Sequence, residues 1–147
     1  MEFHRLAVRI VNKYYIYALI GGIDDGAECY YPAITSMNSD DELQLSRLMQ
    51  AVVLPDYYRL DATSQATTKL TLAYYLKNRP ALLAECLDNL LTPMPDAEDK
   101  DLFFRVLWRE LYPNEDVNKV DVSDCVEVDD CEATLQMRYS APDKASS

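Results

Sequence analysis

Carboxylate side chains are concentrated in one stretch of this chain, between Glu115 and Glu132. Eight of these 18 residues are Asp or Glu, and Lys119 is the only basic residue among them. Valines are interleaved with the acids, which is not typical of a solvated tail, so we expect a folded edge that displays dense negative charge. Such a surface attracts basic partners and repels nucleic acid. The charged face is predicted to comprise Asp121, Asp124, Glu127, Asp129 and Asp130.

Tyrosine is the second residue type with binding chemistry. The chain has 11 tyrosines, and eight of them form four adjacent pairs. Neighbouring side chains on a helix or strand point in different directions, so some of the eight should be partly exposed. Tyrosine combines a large apolar area with a hydroxyl group and is enriched at interaction hot spots. Tyr57 and Tyr58 are predicted to lie in a loop between Pro55 and Asp61, and therefore to contact a partner.

The residues that catalysis or nucleotide binding would need are scarce. His4 is the only histidine, so a serine or cysteine nucleophile would depend on it, and we interpret it as a surface residue. All the glycines fall in the segment GGIDDG, which matches neither the dinucleotide-binding fingerprint nor the P-loop. We therefore predict no catalytic residue and no cofactor.

Metal binding is not predicted either. The four cysteines lack CxxC spacing, and structural zinc sites need about four nitrogen or sulfur ligands. The acidic stretch DVNKVDVSD lacks the order of an EF-hand, including its central glycine. Whether Cys125 and Cys131 pair is left open by the sequence.

Length and composition indicate a folded protein. The chain has 147 residues, 49% of them hydrophobic, and a net charge of −11, which suits one globular domain over residues 1–140 with a flexible tail at 141–147. The longest uncharged apolar run, Tyr14–Ile23, is shorter than the roughly 20 residues of a membrane helix and lacks a signal-peptide cleavage pattern. We expect no membrane segment and a reduced, cytoplasmic environment.

The middle of the chain has the spacing of amphipathic helices. A capping box starts the first of them, and prolines or an Asp cap delimit the others. The predicted helices run from Ser39–Glu42 to Leu54–Pro55, over residues 62–77, from Pro80 through Leu91, and from Asp96 to Leu111.

The two ends of the chain favour strands. Residues 1–20 fit either a helix that ends at Gly21 or strands, with a hairpin formed by residues 14–20 and 27–35; a short helix followed by strands is the favoured interpretation. Alternation from Ala133 to Tyr139, after a turn near Asp129 and Asp130, predicts a C-terminal hairpin. The predicted fold is α+β, with about four central helices and short antiparallel strands from the N- and C-terminal segments.

These patterns favour a small, acidic, non-enzymatic domain that masks or inhibits a basic protein, as immunity proteins, inhibitors and chaperones do. A toxin, a nuclease or another nucleic-acid-binding protein would be such a partner, and direct binding of nucleic acid is not expected. Two alternatives remain open. One is a small enzyme that uses carboxylates, with or without a divalent metal ion, and the other is a structural module that forms a homodimer or larger homo-oligomer.

Overall fold

The computed structural model of the chain describes residues 8–137. Their fold is mostly helical, with one small two-stranded sheet, and is broadly α+β. Short 3₁₀ segments at Asp25–Cys29, Pro32–Thr35 and Val117–Lys119 lie between the main elements, and another, Cys131–Gln136, follows the last of them. Those elements are β1 (Arg9–Asn12), α1 (Lys13–Ile20), α2 (Glu42–Leu48), α3 (Leu54–Arg59), α4 (Ala62–Asn78), α5 (Pro80–Asp88), α6 (Lys100–Leu111) and β2 (Cys125–Val128).

The two strands come from opposite ends of the chain and run parallel. Arg9 lies opposite Cys125, and Ile10 lies opposite Val126. The prediction of antiparallel strands is therefore wrong. Parallel strands need a long crossover connection, and here the whole helical body between β1 and β2 supplies it.

Asn12 ends β1 and starts α1. Its side chain is fully buried; Oδ1 accepts a hydrogen bond from the Tyr14 backbone N–H at 3.1 Å, and Nδ2 donates to the Asp130 carbonyl oxygen at 2.8 Å. Because Asn12 caps a helix here, the tyrosine-rich segment after it is helical in spite of its strand propensity. The predicted helix end at Gly21 is confirmed, whereas the hairpin of residues 14–20 and 27–35, and the order of helix before strand, are wrong.

Helices α2 and α3 form one continuous rod through a π-helical turn, Met49–Val53. The Leu54 N–H bonds to the Met49 carbonyl oxygen, five residues earlier. Pro55 lies just after this turn, whose shifted hydrogen-bond pattern accommodates a residue without an N–H inside the continuous helix. The predicted end of the helix at Leu54–Pro55 is thus wrong. Residues 8–137 form six α-helices rather than about four, because the π-helical turn separates α2 from α3 and because α1 precedes them.

The predicted helix over residues 62–77 is confirmed as α4, whose cap Asp61 accepts from the Ser64 N–H at 2.8 Å. The expected capping box before α2 is wrong. Ser39 donates to the Pro95 carbonyl oxygen at 2.5 Å instead, and the Asp40 carboxylate accepts from the N–H groups of Glu98 and Asp99 at 3.0 and 2.8 Å. The start of α2 is thereby tied to the start of α6, which Asp99 caps.

Most of the buried apolar side chains form one continuous cluster to which all the helices contribute. Its largest fully buried members include aromatic residues of α4 and α6 and aliphatic residues of α1 and α2. They are Ile16, Ile20, Leu45, Leu48, Tyr75, Phe103 and Phe104. Burial of that surface is the main favourable contribution to folding.

The predicted C-terminal hairpin is wrong as far as the chain is described. After β2 the backbone enters the 3₁₀ segment Cys131–Gln136, because the Asp130 carboxylate accepts from the Glu132 N–H at 3.0 Å and starts a helical turn. The last part of that prediction, including Tyr139, lies outside the described residues, as do His4 and the tail at 141–147.

Candidate functional site

Apolar contacts anchor the first half of the acidic segment, residues 115–132. Val122 is 9% exposed, and Val117 and Val120 pack against the core. The Trp108 indole N–H donates to the Glu115 carbonyl oxygen at 2.8 Å. The Lys77 ammonium group donates to the Val120 carbonyl oxygen at 2.7 Å. The backbone of this half is therefore fixed to α4 and α6.

Arg9 of β1 holds the segment at the sheet. Its Nε donates to both carboxylate oxygens of Asp124, at 2.9 and 2.8 Å, and its Nη2 lies 2.6 Å from Oδ1. Nη2 also donates to the Asp121 carbonyl oxygen at 2.5 Å. The hydrogen bond from Arg9 lowers the pKa of Asp124 below its ordinary value. A forked guanidinium–carboxylate pair of this kind fixes orientation as well as distance.

Glu127 points toward the junction of α4 and α5. Its Oε1 lies 2.5 Å from Arg79 Nη1, and its Oε2 accepts from the Tyr74 hydroxyl at 3.0 Å. Burial, followed by the hydrogen bond to Glu127, raises the pKa of Tyr74. Tyr74 therefore contacts the acidic segment. The sequence does not predict this contact, although Tyr74 and Tyr75 form one of its four adjacent tyrosine pairs.

Two further lysines complete the set of ion pairs. Lys13 lies 3.4 Å from Asp129, and Lys69 pairs with Glu115. With Arg9 and Arg79, they neutralise four of the eight carboxylates of the segment. The basic character of Arg9 and Lys13 is visible in the sequence, but their acidic partners are more than 100 residues away and no local pattern connects them.

The remaining carboxylates face solvent. Asp116, Asp121, Asp130 and Glu132 are exposed and form no salt bridge with residues 8–137. Three of them close local turns through one carboxylate oxygen. Asp116 accepts from the N–H of Asn118 at 2.9 Å, Asp121 from that of Ser123 at 3.0 Å, and Asp130 from that of Glu132 at 3.0 Å. Bonds from the Ser123 hydroxyl and N–H lower the pKa of Asp121.

An exposed apolar patch lies on the sheet beside these acids. Val8, Ile10 and Val126 are 60%, 53% and 47% exposed. Ile10 and Val126 are register partners, so their side chains lie side by side on one face. Asp130 joins Val8 and Ile10 in lining an adjoining groove of about 870 Å³. Of the five acids predicted from the sequence, Asp130 thus lies next to the apolar patch, whereas Asp124 and Glu127 point to cations of the body.

The two predicted tyrosines lie elsewhere. Both are on α3, and the expectation of exposure is wrong for Tyr57, which is 4% exposed. Its hydroxyl lies 2.8 Å from that of Tyr112, because the π-helical turn rotates it inward. Tyr58 is 56% exposed and packs edge-on against Tyr57. Over residues 8–137, no hydrogen bond or ring contact joins Tyr58 to the acidic segment.

Two of the free thiols have raised pKa values, and the described residues form no cluster of metal-ligating side chains. Cys125 and Cys131 are both free thiols. Burial raises the pKa of Cys125 and also that of Cys86, which disfavours the reactive thiolate form. In residues 8–137 no group of three or more His, Cys, Asp or Glu side chains is placed to hold a metal ion.

A role for this surface can be inferred only from its geometry. The chain matches no protein-family model, no curated protein and no solved structure. Among the helices formed by residues 8–137, none combines the length and apolar character that crossing a bilayer requires.

Proposed function

We propose that this protein is a non-enzymatic binding domain that masks a basic protein with its acidic segment. The observation that supports this most directly is the fixed mounting of that segment. Four of its carboxylates hold it to the body through cations, and four others are exposed, of which Asp130 lines the groove with Ile10. Acids and exposed apolar side chains thus share one surface.

The fixed geometry favours binding because its entropic cost has already been met in folding. A mobile acidic tail loses backbone and side-chain freedom when it binds, and each ordered side chain costs about 0.5–1.5 kcal/mol. Here valines, Asx turns and ion pairs order the segment in the free protein. The exposed carboxylates can meet lysine or arginine side chains without that loss.

The overall charge favours fast association with a cationic partner. With a net charge of −11, the domain attracts basic proteins over long range at low salt, and this steering raises association rates. The exposed apolar patch then supplies surface that loses water on contact. Toxins, nucleases and other nucleic-acid-binding proteins carry complementary basic surfaces, and masking such a surface would block their access to nucleic acid.

Charge reversal within the segment tests the proposal. Asp129 and Glu132 are exposed and cap no helix or turn, and the Lys13–Asp129 pair at 3.4 Å is a weak surface contact because 69% of the Asp129 side chain is exposed. Asp129→Lys with Glu132→Lys should therefore leave the fold intact. Asp25→Lys with Glu28→Lys is the matched control. Both acids are exposed and far from the acidic segment in the sequence, and their replacement changes the net charge by the same amount. Thermal melts verify folding of both variants.

Binding is measured in two steps. Basic proteins retained from the native host at low salt are identified, and the association rate of the purified partner is then measured at two ionic strengths. We expect the rate to fall about tenfold or more between low and physiological salt. The segment variant should bind far more slowly than the control variant. Equal rates for the two variants, or no retained basic protein, would contradict the proposal.

A further inference from the structure

The free edge of β1 is available for pairing. The Arg9 N–H donates to the Asp124 carbonyl oxygen at 3.2 Å, so Arg9 faces β2. Successive residues of a strand direct their N–H and C=O groups to opposite sides, and those of Val8 and Ile10 therefore point away from β2. Within residues 8–137, β2 is the only strand that pairs with β1.

The groove lies along that edge. Three consecutive residues of β1, Val8, Arg9 and Ile10, line it together with Val128 at the end of β2, so the groove borders β1 and reaches the end of the sheet. Small side chains of the first half of α4, such as Ala62 and Ala66, form the opposite wall. A strand added to a sheet lies about 4.8 Å from its neighbour, and the volume of about 870 Å³ accommodates an extended segment.

The charges around the groove specify its occupant. Its one cation, Arg9, is neutralised by Asp124. Asp130 lines the groove without a salt bridge over residues 8–137, and the exposed Glu132 follows it two residues later in the chain. The groove thus combines an apolar lining with a negative border, and this combination favours cationic side chains that alternate with β-branched ones.

We infer that an extended, basic segment of the partner protein binds here as a third strand on the free edge of β1. This inference rests on the proposed function and adds the mode of binding to it. Main-chain hydrogen bonds to Val8 and Ile10 provide affinity, alternate apolar side chains enter the groove, and the lysines or arginines between them meet Asp130 and Glu132.

The probe is a capped heptapeptide of alternating lysine and valine, titrated into isotopically labelled full-length protein. Amide resonances of Val8, Ile10 and Ala66 should shift at peptide concentrations of about 1 mM or below. A glutamate–valine peptide and a lysine–valine peptide N-methylated at every backbone nitrogen serve as controls. Neither should bind, because the first has the wrong charge and the second cannot donate main-chain hydrogen bonds. Equal binding of the N-methylated peptide, or no shift with the lysine–valine peptide, would overturn strand addition.

Filling the groove provides the matched variants. Ala66 and Ala81 are both exposed helical alanines, but only Ala66 lines the groove. Ala66→Trp should weaken peptide binding at least tenfold, and Ala81→Trp should leave it unchanged. Equal affinities for the two variants would place the peptide elsewhere.

Other occupants give different results. If light scattering shows a dimer that Ala66→Trp dissociates, the groove binds a second copy of this chain and the inference is wrong. It is also wrong if the peptide binds only after residues 138–147 are removed. If Ala66→Trp retains the basic protein that Asp129→Lys with Glu132→Lys releases, strand addition fails while the proposed function stands; if no basic protein is retained at all, the proposed function itself fails.

Discussion

Arg9 and Asp124 form a forked ion pair at the only sheet in residues 8–137, with Arg9 Nε 2.8 Å from Asp124 Oδ2. One residue belongs to β1, and the other immediately precedes β2. The pair therefore fixes the N-terminal strand, the C-terminal strand and the acidic segment at one point. Because both side chains are partly exposed, we expect it to set the register and orientation of the strands more than the total stability.

Acid should loosen this region. The folded-state pKa values of Asp121 and Asp124 lie below their ordinary values. The stability that these carboxylates contribute is present above the ordinary pKa of about 4 and is lost as the pH falls through the lower folded-state values. The free energy of unfolding, measured by urea denaturation at pH 6 and at stepwise lower pH, should show this loss. The Asp124→Asn variant should lose less stability over the same pH range. If the free energy of unfolding falls equally with pH in the variant and the wild type, the role of the Arg9–Asp124 pair is contradicted.

Asn12→Ala should destabilise the protein by about 2 kcal/mol or more, since it removes both a helix cap and a buried hydrogen bond to the Asp130 carbonyl oxygen. Asn78→Ala, at the exposed end of α4, is the matched control and should change the free energy of unfolding by less than about 0.5 kcal/mol. Urea unfolding measures both. Similar effects of the two substitutions would mean that Asn12 does not join the sheet to the acidic segment.

Tyr57→Phe should cost about 1–2 kcal/mol, because it leaves the buried Tyr112 hydroxyl without its partner at 2.8 Å. Tyr58→Phe should be nearly neutral, because the Tyr58 side chain is exposed. The free energy of unfolding of the two variants decides the matter. A larger loss for Tyr58→Phe than for Tyr57→Phe would contradict the inward placement of Tyr57.

Alkaline pH should destabilise the fold through the buried pair of Tyr57 and Tyr112. Burial raises the pKa of both Tyr57 and Tyr112, and their mutual contact raises that of Tyr112 further. A phenol with a raised folded-state pKa stabilises the fold fully below the unfolded value of about 10, and this contribution is lost as the pH rises above it. Absorbance titration should show exposed tyrosines ionising first, with the buried ones ionising only as the protein unfolds. Ionisation of all 11 tyrosines in one step before unfolding would be inconsistent with this.

Local signals in the sequence explain which parts of the fold were foreseen. Helix α4 was predicted from the helical spacing of residues 62–77 and from Pro80 after its end; its cap in the structure, Asp61, is likewise a neighbouring residue, so both boundaries depend on local signals. Its inward face was harder to predict, because Ser64, Thr68 and Thr71 are buried there although they are polar. Thr68 is accommodated because its hydroxyl bonds to the Ser64 carbonyl oxygen within the helix.

The errors arose where distant residues decide the structure. The π-helical turn carries the chain past Pro55 and turns Tyr57 into the core, and no local pattern signals such a turn. Parallel pairing of β1 with β2 depends on how the helical body closes. The acidic segment was identified as folded from its valines, but the cations that neutralise Asp124 and Glu127 come from β1 and from the junction of α4 and α5.

The fixed mounting of the acidic segment is tested most directly by amide hydrogen exchange over residues 115–132 at neutral pH. We expect slow exchange at the β2 amides and faster exchange there in Arg9→Gln with Arg79→Gln, which removes two of the anchoring ion pairs. Arg105→Gln, which breaks a surface pair with Asp99, is the control and should leave the segment protected. Exchange of the whole segment at the rate of an unfolded peptide in the wild-type protein would contradict the account.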